Sequence, residues 1–123
     1  MVIETNPSGA QVQKQVETAV SEGESTTTAG TYQDKTTLTF TAEAGDYKLE
    51  FYAEYYNGDV RVYNSTDAVT YAEVEEISSL YYTSIGGLAV ITLTAGSKSI
   101  IIQWLSNGGT AYIRRARLYL VKM

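Results

Sequence analysis

The sequence predicts an all-β fold, a jelly-roll β-sandwich of about eight antiparallel strands with an N-terminal arm. Three observations carry that prediction. Two segments alternate apolar and polar residues about a turn. In ITLTAGSKSIIIQW, Ile91 and Leu93 face the way that Ile100, Ile102 and Trp104 continue after Ala95-Gly96-Ser97. In LTFTAEAGDYKLEFYAEY, Leu38, Phe40, Tyr47, Leu49, Phe51 and Ala53 form the inward set about Glu43-Ala44-Gly45-Asp46. Alternation with period two marks a strand that buries one face and wets the other. The composition agrees: eleven Tyr, with abundant Thr and Val, suit a pleated surface better than a helix. Turn signals also recur at short, regular intervals, and short strands spaced in that way build sandwiches.

The first thirty residues stand apart. They hold the one proline, Pro7, and the polar run SEGESTTTAG over 21–30 reads as a linker. Before it, Val12, Val16 and Val20 recur every four residues behind Ser8, a candidate N-cap, which is the spacing of a short helix over 8–20. About three turns of helix are marginal alone, so the segment needs a partner surface. A helical bundle in an oligomer, an extended arm on a neighbour and a frayed end all stay open for it. The chain thus divides into residues 1–30, arm and linker, and residues 31–123, the sandwich.

From Thr31 onward strand follows strand. Thr37–Thr41 alternates. Over Asp46–Tyr56, Tyr47, Leu49, Phe51, Ala53 and Tyr55 fall on one side and Lys48, Glu50, Tyr52, Glu54 and Tyr56 on the other. Asn57-Gly58 is a strong hairpin signal leading into a return strand with Val60 and Val62 inward. Asn64–Asp67 reads as a polar turn, although Asn64-Ser65-Thr66 also matches a glycosylation acceptor. The start, MVIETNPSG, lacks the basic and apolar regions of a secretory leader, which favours the turn. Ala68–Leu80 is a strand to about Val74, while Tyr71, Val74 and Ile77 also line up at helical spacing. Tyr81–Ile85 is extended and Gly86-Gly87 breaks it. Leu88–Thr94 and Lys98–Leu105 form a hairpin, and Ser106–Gly109 turns the chain into a last strand. In that strand Ala111 and Ile113 lie on one side and Ala116, Leu118 and Leu120 on the other. A bulge near Arg114-Arg115 reconciles them, since one extra residue flips the facing. The segments beginning at Gly45 and Gly96 align with each other, as equivalent halves of a double Greek key would.

Much chemistry is excluded. The chain has no His and no Cys, so it offers no Ser-His-Asp or Cys-His arrangement, no disulfide and no zinc site of the usual kind. Gly86-Gly87 and Gly108-Gly109 lack the Lys and helix start of a phosphate loop. Glu73, Glu75 and Glu76 could supply paired carboxylates, but adjacent acids in a polar stretch better describe a solvated edge. The expectation is a protein that is not an enzyme and uses no cofactor and no metal. No apolar run is long enough to span a membrane.

The charge is split along the chain. Residues 1–76 hold all fourteen acidic residues and only four basic ones; residues 77–123 hold five basic residues and no acid. The net charge of −5 argues against nucleic acid. Complementary faces on neighbouring copies of the chain are the preferred reading. Tyr52 and Tyr56 on the outward side of the longest strand, with Tyr112 and Tyr119 and the basic group Arg114, Arg115 and Arg117, are the candidate subunit-interface residues, because Tyr and Arg are enriched in such contacts. Ordinary sheet packing and sugar stacking are the competing readings for the tyrosines, with Tyr81 and Tyr82 the candidate glycan contacts.

The segments AGDYKLEFYAEY, LTAGSKSIIIQW and GGTAYIRRARLYL together resemble jelly-roll domains of tailed-bacteriophage virion proteins, among them capsid decoration (cement) proteins and head- or tail-fibre domains. The resemblance covers about residues 31–123 and rests on pattern. It implies a homotrimer with tyrosine-rich walls and an N-terminal arm. It implies further a structural virion protein on the outer capsid surface, where it binds and stabilises the major capsid protein. Val12, Val16 and Val20 would then form the capsid-binding arm. The alternative is a fibre receptor-binding or carbohydrate-binding jelly-roll module. Trp104, on the inward side of its strand, fits that alternative poorly.

Overall fold

A computed structural model describes residues 2–5, 11–75 and 81–123. The described residues hold eleven strands and no helix: β1 Val2–Thr5, β2 Gln11–Lys14, β3 Val16–Ser21, β4 Ser25–Thr27, β5 Gln33–Ala42, β6 Gly45–Tyr56, β7 Gly58–Asn64, β8 Val69–Val74, β9 Thr83–Leu93, β10 Gly96–Ser106 and β11 Ala111–Lys122. One sheet runs β5-β10-β7-β8. The other runs β3-β11-β6-β9, with β4 also paired to β11, and β1 and β2 pair only with each other. All described pairings are antiparallel. This is the jelly-roll sandwich that the alternation predicts.

The inward residues are those the alternation selects. Leu38, Phe40, Tyr47, Leu49, Ala53, Tyr55, Val60, Val62, Ile91, Leu93, Ile100, Ile102 and Trp104 are buried between the sheets. Trp104 is core filler, its indole N–H donating to the Ala111 carbonyl at 3.3 Å. In β11 the register slips between Arg114 and Arg117, and Arg115 has φ of +51°. That bulge lets Ala111 and Ile113 share the core with Ala116, Leu118 and Leu120.

The strand partners differ from the expectation. The expected hairpins about Gly45, Asn57-Gly58 and Gly96 are not hairpins: β5 and β6, β6 and β7, and β9 and β10 each lie in different sheets. The chain crosses the sandwich at these turns. β6 pairs with β9, Gly45 opposite Leu93, while β5 pairs with β10, Gly96 opposite Ala42. The two glycine corners, both at positive φ, therefore lie side by side, and their likeness in sequence is that of two interlocked halves. Among the described consecutive strands, β7 and β8 pair with each other, as β1 and β2 do. The β7–β8 turn buries Asn64, whose amide donates to Asp67 and Tyr71, so the glycosylation match is a polar turn.

Two further corrections concern the N-terminus and the paired glycines. No helix forms over the described part of 8–20: β2 and β3 are strands, and β3 pairs Val16–Ser21 with Ala116–Val121 of β11. A short helix would leave that side of β11 an open edge, and β-branched valines suit the strand that closes it. Residues 16–27 are thus part of the sandwich rather than an arm and linker. The candidate cap Ser8 and the ambiguous Ile77 lie outside the described residues. Gly86-Gly87 does not break β9 either. The Phe51 ring lies over Gly87, where an added Cβ would sit 2.9 Å from its Cζ, so the glycine admits the ring.

Gly58 is tighter still. A Cβ there would fall on the Leu105 carbonyl oxygen and 2.9 Å from the Ala111 Cβ. Gly58→Ala is expected to cost about 2 kcal/mol, read in urea unfolding as a lower midpoint at unchanged slope. An unchanged midpoint would contradict this packing.

Candidate functional site

The outer face of the β3-β11-β6-β9 sheet gathers all seven candidate interface residues. Cross-strand register sets Tyr112 beside Tyr56, Arg114 beside Glu54, Arg117 beside Tyr52 and Tyr119 beside Glu50. The bulge makes this arrangement: with Ala116 and Leu118 turned inward, Arg114 and Arg117 both project outward.

The polar end of the face is a connected cluster. Tyr56 and Tyr112 stack with centroids 4.2 Å apart, and Tyr82 meets Tyr56 edge-on at 4.8 Å. The Arg114 guanidinium lies 3.7 Å over the Tyr82 ring, and its Nε donates to Glu54 Oε1 at 2.7 Å. The Arg115 Nη1 donates to Glu54 Oε2 at 3.2 Å, and the Tyr52 hydroxyl donates to the same oxygen at 2.6 Å. The Tyr52 hydrogen bond first, then those of Arg114 and Arg115, hold the Glu54 carboxyl down at about 2. Next to it Arg117 Nε donates to Glu22 Oε1 at 2.7 Å, holding that carboxyl below its ordinary value as well. Burial, then a hydrogen bond donated to Glu24, raises the Tyr82 hydroxyl. An open cavity of about 430 Å³ at this end is lined by Tyr52, Glu54, Tyr82, Thr83, Ser84, Arg114 and Arg115.

These contacts bear on the split of charge. Within one chain the arginines already find carboxylates. Asp67–Lys98, Glu54–Arg114, Glu54–Arg115 and Glu22–Arg117 each join an acid of the first 76 residues to a base beyond them. The two halves of the chain interleave in the sheets, so the split of charge along the sequence becomes local pairing.

The other end of the face is richer in apolar side chains, with Lys48 and Glu50 set among them on β6. Leu88 and Val90 on β9, Val20 on β3 and Tyr119 on β11 are exposed, Leu88 at 58% and Val90 at 63%. A cavity of about 440 Å³ lies among Glu50, Phe51, Tyr52, Gly87, Leu88, Arg117 and Tyr119. Sequence reading missed Leu88 and Val90, because a strand's alternation shows which residues share a face but not which face is covered. Of the expected capsid-binding arm, Val16 and Val20 lie on β3 at the edge of this sheet; Val12 lies on β2, its side chain outside the described part. Of the candidate glycan contacts, Tyr81 is 79% exposed, while Tyr82 is held in the cluster.

A second aromatic cluster on the opposite sheet was also missed. The Arg61 guanidinium lies between the rings of Tyr32 and Tyr63, at 4.0 and 3.9 Å, and its Nε donates to Gln103 at 2.8 Å. The alternation of Arg61 and Tyr63 puts them on one face; Tyr32, distant in sequence, gave no signal.

No protein-family model and no curated protein matches the sequence. Solved structures do match in fold. The Eiger TNF of S. frugiperda superposes with a TM-score of 0.62 at 13% identity, covering 89% of this chain and 92% of that one. The globular domain of zebrafish complement 1qA protein gives 0.56 at 17% identity, covering 90% and 98%. The VP2 protein of infectious bursal disease virus, in derived T=1 particles, gives 0.59 at 10% identity. It covers 99% of this chain but only 36% of VP2. At these identities the likeness is one of fold: the chain is a jelly roll of the kind found in TNF-like, C1q-like and viral capsid proteins.

The Glu54 cluster sets an acid limit. Its carboxyl is depressed from an ordinary 4.5 to about 2 in the folded chain, so the stability it contributes is whole above 4.5 and is lost as pH falls through 2. Glu54→Gln is expected to lower the melting temperature at pH 7 and to flatten its fall between those values. A melting profile as steep as the parent's would count against the cluster.

Proposed function

We propose that the protein is a structural virion component, a homotrimeric capsid decoration (cement) protein that binds and stabilises the major capsid shell from its outer surface. The carrying observation is the apolar end of the five-stranded sheet. Exposed aliphatic side chains beside an open cavity mark a contact surface more than a solvated one. Val20 lies at one edge of the face and Leu88 and Val90 at the other. Two different patches on one face favour head-to-tail contact, which closes into a ring, whereas a two-fold dimer needs a single self-complementary patch. A ring of three is the number the phage resemblance implies. Tyr52 and Tyr119, with those aliphatics, form the centre of the contact; Tyr56, Tyr112, Arg114, Arg115 and Arg117 form its polar rim. The VP2 protein of derived T=1 particles, of which 36% is covered by this fold, supports a capsid role.

A second reading, a fibre receptor-binding or carbohydrate-binding module, is favoured by the polar cavity beside Tyr82. The first reading predicts a sedimentation mass three times that of the 13.5 kDa chain at micromolar concentration. Leu88→Glu should give a folded monomer. A parent protein that sediments only as the monomer would overturn the trimer.

A further inference from the structure

The polar cavity is a built site rather than a gap between side chains. Its walls come from β6, β11 and the start of β9 with Tyr82 before it, and both of its arginines are held by Glu54. Arg114 is held by the Tyr82 ring beneath it and by Glu54 at its Nε, so the guanidinium is oriented while both its terminal amino groups have no partner among the described residues. Arg115 is aimed into the same cavity by the bulge and spends only Nη1 on Glu54. A non-glycine residue at φ of +51° is costly backbone, and here it brings a second guanidinium beside the first. The two guanidiniums share the Glu54 carboxylate, and the Glu24 carboxylate behind Tyr82 balances the second charge, while the terminal donors of Arg114 stay open to a ligand. Ser84, opposite Glu54 on the outer face, adds a hydroxyl to the wall, and the tyrosines add ring edges.

We propose that this cavity binds an acidic saccharide, a sugar ring bearing one carboxylate, with Arg114 and Arg115 holding the carboxylate and Ser84 a ring hydroxyl. With Glu54 and, behind Tyr82, Glu24 close by, a monoanion meets less repulsion than a phosphate dianion, and its planar carboxylate matches the guanidinium fork. The cavity's volume exceeds what a bare anion fills and takes one or two sugar rings. The proposal rests on the second reading above and goes beyond it in naming the chemistry of the sugar. It lies at the rim of the contact between copies, not at its apolar centre.

Calorimetric titration of the full chain with galacturonate, galactose, acetate and phosphate tests it. Galacturonate should bind at least about tenfold more tightly than galactose or acetate, the worth of a charge-assisted hydrogen bond. Arg115→Asn keeps a residue that tolerates positive φ and removes the guanidinium; it should weaken galacturonate binding about tenfold. Ser84→Ala, at an exposed position, should weaken it with the melting temperature unchanged. Galactose binding as tightly as galacturonate would overturn the carboxylate site while leaving a carbohydrate-binding module. Acetate or phosphate binding as tightly would show an anion site only and overturn the saccharide. No binding of either sugar would overturn the proposal, and failure on a wider set of neutral glycans would overturn the second reading too.

Discussion

The extra residue in β11 is the constraint on which the rest of the fold depends. β11 is central in its sheet, flanked by β3 and β4 on one side and β6 on the other. Without the bulge at Arg115, a strict alternation would bury either Ala111 and Ile113 or Ala116, Leu118 and Leu120, and expose the other set. The slip of register keeps both sets in the core and costs one residue at positive φ. The same slip puts Arg114, Arg115 and Arg117 within reach of Glu54 and Glu22, which in turn order Tyr52. Core and surface cluster are two consequences of one backbone feature.

That bulge could be read from the sequence because the facing of apolar residues is a local property. So could nearly every buried side chain, Trp104 included. The pairing of strands could not. A glycine turn between two amphipathic strands says that the chain reverses; it does not say whether the second strand joins the first or crosses to the opposite sheet. In both cases the inward residues meet the same core. The segments around Gly45 and Gly96 gave the same signal a hairpin gives, and yet each pairs with the other's strands. The N-terminal valines show the complementary limit. Spacing of four fits a helix, but the open edge of β11 decided for strand, and that edge is invisible until β11 has been placed.

The candidate face was partly legible. Tyr52, Tyr56, Tyr112, Arg114, Arg115, Arg117 and Tyr119 were singled out by residue type and alternation, and one sheet face holds them all. Their partners were not legible. The charge split along the chain suggested contacts between copies, whereas antiparallel pairing of early and late strands satisfies the same charges internally. What remains for a neighbour is the apolar end, where Val20, Leu88 and Val90 stand exposed beside Tyr119. Charge complementarity therefore gives way to apolar burial as the proposed basis of assembly. The polar end, with its spare guanidinium donors, stays at the rim.

In the proposed assembly, copies of the chain meet through the five-stranded sheet and not through the four-stranded one. The chain lacks cysteine, so single nitroxide labels can be placed without background. Dipolar spectroscopy on Thr18→Cys, on β3 beside Tyr119, and on Val69→Cys, on β8 of the other sheet, compares the two faces directly. Strong coupling between neighbouring copies, with three-spin contributions, is expected for the label at position 18, and weaker coupling at position 69. Stronger coupling at 69, or none at either position at assembling concentrations, would contradict that assembly.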